Sequence, residues 1–253
     1  MKVLAVIPAR LGATRLPRKP LRLIAGVPLI NRVLGRVVSL GVADAVVVAT
    51  DSTDIEAVVR SAGGTAVLTR GDHPSGTDRM AEVARRPEYR DFEVLLNVQG
   101  DEPFVTADAL RGAVEMVRER GFPLGTAATL APPAVLRDPG VVKVVCASDG
   151  RALYFSRAPI PWCRDAVDVM EQERLIRQHV GVYACRREAL FAWVALPPHP
   201  LERVERLEQL RALAGGLAMG VALVDPLPAG GIDTEDDLER ANARWTDLYA
   251  GRP

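Results

Sequence analysis

The stretch Val3-Leu-Ala-Val-Ile7 places five apolar residues in a row, and Pro8-Ala-Arg10 follows it directly. An uninterrupted apolar run of this length is typical of a strand that is covered on both faces, as in a parallel sheet. Ala45-Val-Val-Val-Ala49 and the shorter Ala66-Val-Leu68 repeat the pattern, and Val94-Leu-Leu-Asn-Val98 resembles it with one polar residue, Asn97. These four runs predict the strands of a buried, mainly parallel sheet.

Helical patterns separate these strands. Apolar residues recur at helical spacing over 28–40 and 54–62, and Ser75 is a good N-cap for a third helix that opens at Ser75-Gly-Thr-Asp78. This alternation implies right-handed crossovers and an α/β fold with helices flanking the sheet. From about residue 124 the pattern changes to strands separated by long polar or Pro-rich loops. The predicted strands there are 126–130, 141–146, 153–155, 180–185 and 221–224, and the predicted helices are 187–193, 201–213 and 234–248.

We therefore expect one α/β domain over residues 1–253 with a smaller subdomain inserted in its second half. Residues 1–123 would form a first half of alternating strands and helices, 124–230 an inserted region, and 231–253 a final turn and helix. The 32 basic residues balance the 32 acidic ones, which excludes a globally basic nucleic-acid binder and a polybasic membrane-surface protein. No apolar run approaches the roughly 18 residues of a membrane span, so we expect no membrane insertion. Three cysteines favour a reducing, cytoplasmic location.

The loop after the first strand concentrates positive charge. Arg10, Arg15, Arg18 and Lys19 lie within ten residues, and Lys19 is one of only three lysines in the chain. Ligands of open α/β sheets bind beyond the carboxyl ends of the strands, so this loop would lie over the site. Four cations there suit a triphosphate, although a solvated basic loop has the same composition. The P-loop and GxGxxG patterns are both absent.

Two acidic turns are candidates for a divalent metal site. The first is Asn97-Val-Gln-Gly-Asp-Glu-Pro103, where Asp101 and Glu102 both have the right chemistry for Mg²⁺ and the sequence does not choose between them. The second is Gly231-Ile-Asp-Thr-Glu-Asp-Asp237, just before a predicted helix. Asp233 in that turn either caps the helix or binds metal.

Seven segments together carry a resemblance to a known family. The chain resembles the CMP-Kdo synthetases (3-deoxy-manno-octulosonate cytidylyltransferases; Kdo is 3-deoxy-manno-octulosonate) over nearly its whole length. The segments are Pro8-Ala-Arg to Lys19-Pro-Leu21, His73-Pro-Ser-Gly-Thr-Asp-Arg79, Asn97 to Pro103, Leu153-Tyr-Phe-Ser-Arg157 to Ile160-Pro-Trp162, His179-Val-Gly-Val-Tyr183, Leu207-Glu-Gln-Leu-Arg211 and Gly231-Ile-Asp-Thr234. The resemblance implies a GT-A-like nucleotidyltransferase fold, a homodimer, Mg²⁺ as cofactor, and transfer of CMP from CTP to Kdo with release of pyrophosphate for lipopolysaccharide assembly. It makes residues 1–123 the nucleotide-binding half, 124–230 a sugar-binding and dimerisation subdomain, and 231–253 a metal-binding turn and the C-terminal helix.

The resemblance also implies a role for individual residues. Asp101 and Asp233 would bind Mg²⁺, while Arg10, Arg15 and Lys19 would hold the phosphates. Further nucleotide contacts would come from Ala9, Arg10, Lys19, Ser75, Gly76 and Gln99. The implied sugar ligands are Arg157 for the carboxylate, and His179, Tyr183, Glu208 and Gln209 for the hydroxyls. From residue patterns alone, Glu208 and Gln209 also fit a solvated helix face, and His179 and Tyr183 also fit core positions.

The chain departs from the family pattern in its first loop, where Ala13 replaces the usual Ser and Arg18 the common Gly. Three other functions remain open. A cytidylyltransferase for 8-amino-Kdo or sialic acid would keep the first loop and both acidic turns. A non-catalytic nucleotide-binding protein would not need Asp101, Asp233 and Lys19 together. A sugar-transferring GT-A enzyme would have an Asp-x-Asp metal motif.

Overall fold

The computed structural model describes residues 1–12, 15–227 and 230–249. In chain order the elements are β1 (Val3–Ala9), β2 (Leu23–Ile24), β3 (Val27–Pro28), α1 (Leu29–Ser39), β4 (Ala45–Thr50), α2 (Thr53–Ser61), β5 (Ala66–Leu68), α3 (Gly76–Ala84), β6 (Val94–Asn97), α4 (Ala107–Arg118), β7 (Leu124–Leu130), β8 (Lys143–Cys146), β9 (Ala152–Ser156), α5 (Val169–Leu175), β10 (Arg177–Arg186), α6 (Arg187–Ala195), α7 (Pro200–Glu205), α8 (Gln209–Ala214), β11 (Met219–Val224) and α9 (Glu235–Tyr249). None of the helices in the described ranges is long and apolar enough to cross a bilayer.

The chain divides into two compact units. The N-terminal unit contains residues 2–92, 97–107 and 227–253, and the central unit contains residue 1 with residues 93–96 and 108–226. In the N-terminal unit β1 pairs with β4 and β4 with β5, all in parallel. Every residue of β1 except Pro8 is buried, as its apolar run predicts. Helix α1 turns Leu29, Ile30, Val33, Leu34 and Val37 inward at spacings of three and four residues.

The central unit carries the strand order β11-β7-β10-β6. β11 runs parallel to β7, whereas β10 runs antiparallel to β7, and the β8–β9 hairpin joins the edge of β10. The change of sequence pattern near residue 124 therefore marks the entry of antiparallel strands. The predicted fold class, α/β with a mainly parallel sheet flanked by helices, is confirmed.

One predicted helix is wrong. The segment 201–213 forms two short helices, α7 and α8, instead of one. Arg206 ends α7 in the left-handed region at φ 55, and the amide of Leu207 turns back to the carbonyl of Glu202. A left-handed residue cannot continue a right-handed helix, so the chain breaks there. Glu208 thus occupies the N-cap position of α8 and Gln209 is the first residue of that helix.

Candidate active site

A cleft of about 420 Å³ lies within the N-terminal unit. It is formed by the carboxyl end of β1, the loop that follows, the start of α3, and the two acidic turns. Its lining includes all nine residues that the resemblance assigns to the phosphates, the nucleotide and the metal: Ala9, Arg10, Arg15, Lys19, Ser75, Gly76, Gln99, Asp101 and Asp233. This is the end of a parallel sheet at which α/β proteins bind their ligands.

A close approach of two backbone segments shapes the floor of the cleft. A Cβ atom on Gly100 would lie 2.7 Å from the carbonyl oxygen of Pro8, which is too close for any other residue. Glycine at position 100 therefore allows the Gln99–Asp101 turn to lie directly against the end of β1. The turn brings the Asp101 side chain to the same cleft as the loop that carries Lys19.

The N-terminus of α3 forms another wall of the cleft. Ser75 is its N-cap, as predicted, and the Ser75 hydroxyl oxygen accepts a hydrogen bond from the amide of Asp78. The same hydroxyl donates to the Asp78 carboxylate at 2.6 Å. The Ser75 side chain thus stabilises the helix start, and the positive end of the α3 dipole faces the cleft at this wall.

Lys19 is the centre of the charge cluster. Its Nζ donates to Asp101 Oδ2 at 2.5 Å and to Asp233 Oδ1 at 2.9 Å. Burial lowers the pKa of Lys19, but the Asp101 and Asp233 carboxylates outweigh that effect and the pKa lies above its ordinary value. Lys19 is therefore a permanent cation that draws together two carboxylates separated by 132 positions in the chain.

The arginines of the first loop divide into two groups. Arg15 Nη2 lies 3.0 Å from Asp233 Oδ2, and Arg10 borders the cleft without a side-chain partner in the described parts of the chain. Arg18 instead pairs with Asp54 at 2.7 Å and is absent from the cleft lining. Its φ of 53 is left-handed, a conformation that glycine adopts without strain. Three of the four cations that the sequence predicts therefore line the cleft. Ala13, the other departure in this loop, lies outside the described residues.

The neighbouring carboxylates Asp101 and Glu102 have different surroundings. Asp101 binds Lys19 in the cleft, whereas Glu102 has a buried Oε2 without a hydrogen-bond partner in the described parts of the chain. Burial, reinforced by the charges of Asp101 and Asp233, raises the pKa of Glu102 to about 8. Asp101 lines the cleft and Glu102 does not, so Asp101 is the better candidate for a metal ligand.

Asp233 does not cap the terminal helix. The cap is Thr234, whose Oγ1 accepts from the amide of Asp237 at 3.2 Å, while Asp237 Oδ2 accepts from the amide of Thr234 at 2.9 Å. This reciprocal pair satisfies the first turn of α9 without the carboxylate of Asp233. The Asp233 side chain is left to contact Lys19 and Arg15.

The donor set of the cleft fits Mg²⁺. Asp101 and Asp233 present oxygen atoms to a single cation, and Mg²⁺ in phosphoryl-transfer sites commonly uses one or two carboxylates together with substrate phosphates. The described residues form no group of three or more His, Cys, Asp or Glu side chains that could hold a metal without a substrate. Asp101 and Asp233 could therefore hold Mg²⁺ jointly with a bound nucleotide.

The predicted sugar ligands all lie in the central unit. The rings of His179 and Tyr183 are 5.4 Å apart, and burial lowers the pKa of His179 to about 3. Burial, with a smaller contribution from the nearby Glu208 charge, raises the pKa of Tyr183 above its ordinary range. Glu208 also pairs with Arg211 at 3.2 Å. Both His179 and Tyr183 are thus neutral at physiological pH.

Gln209 and Arg157 differ in how many of their polar atoms already have hydrogen-bond partners. Gln209 is 3% exposed, and its Nε2 has no hydrogen-bond partner in the described parts of the chain. Arg157 donates from Nε to the carbonyl of Glu205 at 3.0 Å and from Nη1 to that of Pro139 at 2.8 Å. Only part of the Arg157 guanidinium is therefore free to meet a substrate carboxylate.

Sequence reasoning missed two buried polar residues of the central unit. Lys143 is fully buried, and its ammonium donates to the carbonyls of Asp138, Val141 and Arg157. The scarcity of lysine was its only signal. Thr126 is also fully buried and contacts His179, but a threonine within a strand has no distinguishing sequence pattern.

Comparison with known proteins places this geometry in context. A family model described as cytidylyltransferase matches residues 4–219. A 3-deoxy-manno-octulosonate cytidylyltransferase of Gemmatimonas aurantiaca is 62% identical over 250 residues, covering 99% of this chain and 96% of the relative. The protein of the same name from Methylococcus capsulatus is 47% identical, with 93% and 94% covered. A solved structure of CMP:2-keto-3-deoxy-manno-octonic acid synthetase in complex with CTP matches with a TM-score of 0.89 at 37% identity, covering 98% of this chain and 99% of the other.

Proposed function

The chain belongs to the cytidylyltransferase family, and we propose that it transfers CMP from CTP to the anomeric hydroxyl of Kdo. The observation that carries the proposal is the cluster in which Lys19 joins Asp101 and Asp233 in a cleft that Arg10 and Arg15 also border. The products are CMP-Kdo, which is used for lipopolysaccharide biosynthesis, and pyrophosphate.

The reaction needs no covalent enzyme intermediate. The anomeric oxygen of Kdo, on C2, attacks the α-phosphorus of CTP in line and forms a new P–O bond. The bond from that phosphorus to the α–β bridging oxygen breaks, its electron pair leaves with pyrophosphate, and the hydroxyl proton passes to solvent. Catalysis is then positioning plus neutralisation of charge. Arg10, Arg15 and Lys19 supply that neutralisation, because permanent cations beside the phosphates stabilise the charge on the departing pyrophosphate.

Asp101 and Asp233 hold the metal in this proposal. Bound Mg²⁺ would offset phosphate charge and lower the pKa of the attacking hydroxyl. Without a divalent cation, the two carboxylates would repel the triphosphate. Lys19 holds the two carboxylates close together in the cleft, where both can face one bound cation.

The cytosine base would lie against the Ala9–Arg10 backbone, Ser75, Gly76 and Gln99, which share the cleft with the phosphate-binding cations. Specificity for cytosine requires acceptors for its exocyclic amine. A buried acceptor left unpaired by uracil would disfavour UTP by roughly 10² to 10⁴.

The sugar acid would be bound by residues of the central unit. Arg157 would contact the carboxylate through the part of its guanidinium that is not bound to backbone carbonyls. His179, Tyr183, Glu208 and Gln209 would contact the hydroxyls, and the unpaired Nε2 of Gln209 is a ready donor for one of them. A related acid, 8-amino-Kdo or sialic acid, is the alternative substrate.

We further propose a cytoplasmic homodimer. The segment from Trp162 to Met170 exposes large apolar side chains, with Trp162 76%, Val167 87% and Met170 72% accessible. Exposed apolar groups clustered in one segment favour a protein–protein contact, and a second copy is the partner that the family resemblance implies. Light scattering should report a dimer that Met170→Glu weakens.

The decisive experiment measures pyrophosphate release with CTP and a panel of 2-keto sugar acids at saturating Mg²⁺. We expect Kdo to give the highest kcat/KM, and UTP in place of CTP to lower the rate by at least about 10²-fold. A preference for sialic acid would replace the proposed substrate. Equal kcat/KM with CTP and UTP would refute the assignment of cytosine recognition.

A further inference from the structure

Thr126 lies at an irregular point of the central sheet. It is fully buried on β7, opposite the place where the pairing of β10 shifts from Val180↔Ala127 to Tyr183↔Thr126. The shift brings two β10 carbonyls to one hydroxyl: Thr126 Oγ1 lies 2.7 Å from the carbonyl oxygen of Val182 and 3.3 Å from that of Val180. The same Oγ1 lies 2.9 Å from Nε2 of His179.

Counting hydrogens assigns the direction of each contact. A threonine hydroxyl has one hydrogen, and a carbonyl oxygen can only accept. Two oxygen atoms 2.7 Å apart require a hydrogen between them, so the Thr126 hydroxyl donates to Val182. Its oxygen is then left as an acceptor, and the contact with His179 requires that Nε2 carry the hydrogen.

The charge state of His179 completes the assignment. The centroid of its ring lies 4.9 Å from that of Phe155, in an edge-on arrangement, and 5.4 Å from that of Tyr183. Burial in these surroundings lowers the pKa of His179 to about 3, so the imidazole is neutral at pH 7. A neutral imidazole with hydrogen on Nε2 has a bare lone pair on Nδ1. That nitrogen has no hydrogen-bond partner in the described parts of the chain.

We propose that Thr126 is a positioning residue that fixes His179 as the Nε2–H tautomer, so that Nδ1 accepts a hydrogen bond from a hydroxyl of the sugar acid. This inference rests on the proposed function, since it assumes that His179 meets the sugar. It also fixes the direction of that hydrogen bond: the substrate hydroxyl must donate and Nδ1 of His179 must accept. A substrate with an ether or a carbonyl oxygen at the same position would face the lone pair and bind poorly.

The tautomer can be measured without any substrate. The chain has three histidines, so the ¹⁵N signals of His73, His179 and His199 can be assigned with one His→Gln variant each. Nitrogen shifts at pH 7 distinguish a protonated from a bare ring nitrogen. We expect a bare Nδ1 on His179 in the wild-type protein and in Thr126→Ser. In Thr126→Val we expect a mixture of the two tautomers. A wild-type His179 with hydrogen on Nδ1 would overturn the proposal, even if no variant folds.

Kinetics then test the sugar contact. We expect Thr126→Val to raise KM for Kdo by about 10-fold, the typical effect of one hydrogen bond, with KM for CTP nearly unchanged. Thr126→Ser should restore KM for Kdo to within about threefold of wild type. The matched control is Thr129→Val, a second buried threonine of β7, which should change neither constant.

Two kinetic results would contradict the inference. An unchanged KM for Kdo in Thr126→Val would show that the tautomer does not matter to the sugar. An equal rise of both KM values would show that Thr126 only supports the fold. The proposed function can fail separately: a wild-type protein that shows the expected tautomer but never uses Kdo would refute the substrate and, with it, the sugar half of the inference.

Discussion

Asp101 and Asp233, which Lys19 brings together, are the only acidic side chains that line the described cleft, so no other carboxylate there can replace either one. Asn in place of either one keeps the shape of the side chain but removes the charge that would hold Mg²⁺. Asp101→Asn and Asp233→Asn should each lower kcat by about 10²-fold or more, as expected for the loss of several kcal/mol of transition-state stabilisation. Pyrophosphate release at saturating CTP, Kdo and Mg²⁺ is the measurement.

Glu235→Gln provides the matched control for these variants. Glu235 lies two residues from Asp233 and pairs with Arg22 on the exposed surface, so its loss should leave kcat within about twofold. Near-normal turnover of an aspartate variant would remove that aspartate from the mechanism.

His179 should make the stability of the protein sensitive to acid. The pKa of His179 is about 3 in the folded protein and 6.5 in the reference state, so the unfolded chain binds the proton more tightly. Its contribution is fully present above pH 6.5 and is lost as pH falls toward 3, at up to about 1.4 kcal/mol per pH unit. Urea unfolding between pH 8 and pH 4 should show a shallower acid slope in His179→Gln, with parallel curves above pH 7. Identical slopes at acid pH would contradict the assignment.

At the level of secondary structure, two adjacent residues of one turn have different roles: Thr234 supports the start of α9, and Asp233 contacts Lys19 in the cleft. Thr234 caps α9, so Thr234→Ala should lower the free energy of unfolding by about 1 kcal/mol, while Thr234→Ser should retain it. Asp233→Asn should leave that free energy within about 0.5 kcal/mol and affect kcat instead. Chemical denaturation beside kinetics distinguishes the two effects. Equal losses of stability in Thr234→Ala and Asp233→Asn would show that both side chains support the helix start.

The elements that sequence predicts well are those with local causes. The apolar run Val3–Ile7 and the cap at Ser75 depend on neighbouring residues, and both lie where the pattern places them. The break at Arg206 has no such local signal, since its neighbours continue the helical spacing of leucines. Asp233 illustrates the same limit at the site: the choice between cap and ligand depends on Lys19, which is distant in sequence.

At the scale of the whole molecule, packing decides where the units divide. The sequence pattern suggests a boundary near residue 123, whereas α4 already belongs to the central unit, which takes up the chain again at residue 108. A Cβ atom on Gly125 of β7 would lie 2.1 Å from the carbonyl oxygen of Ala113, so the bare glycine lets α4 lie directly on that strand. This contact joins two segments by shape complementarity, which hydrophobic periodicity does not report.

The residues assigned to the nucleotide and those assigned to the sugar lie in different units, so their variants should have separable effects. Arg157→Lys should lower kcat/KM for Kdo by about 10-fold or more, because a single ammonium cannot both hold the carbonyls of Glu205 and Pro139 and orient a carboxylate. Its affinity for CTP, measured by isothermal titration, should stay nearly unchanged. Arg10→Ala should do the reverse and weaken CTP binding, since Arg10 borders the cleft without a side-chain partner in the described ranges. If CTP affinity in Arg157→Lys falls as far as sugar efficiency does, Arg157 serves the phosphate site or the fold, and the assignment of the two substrates to two units is wrong.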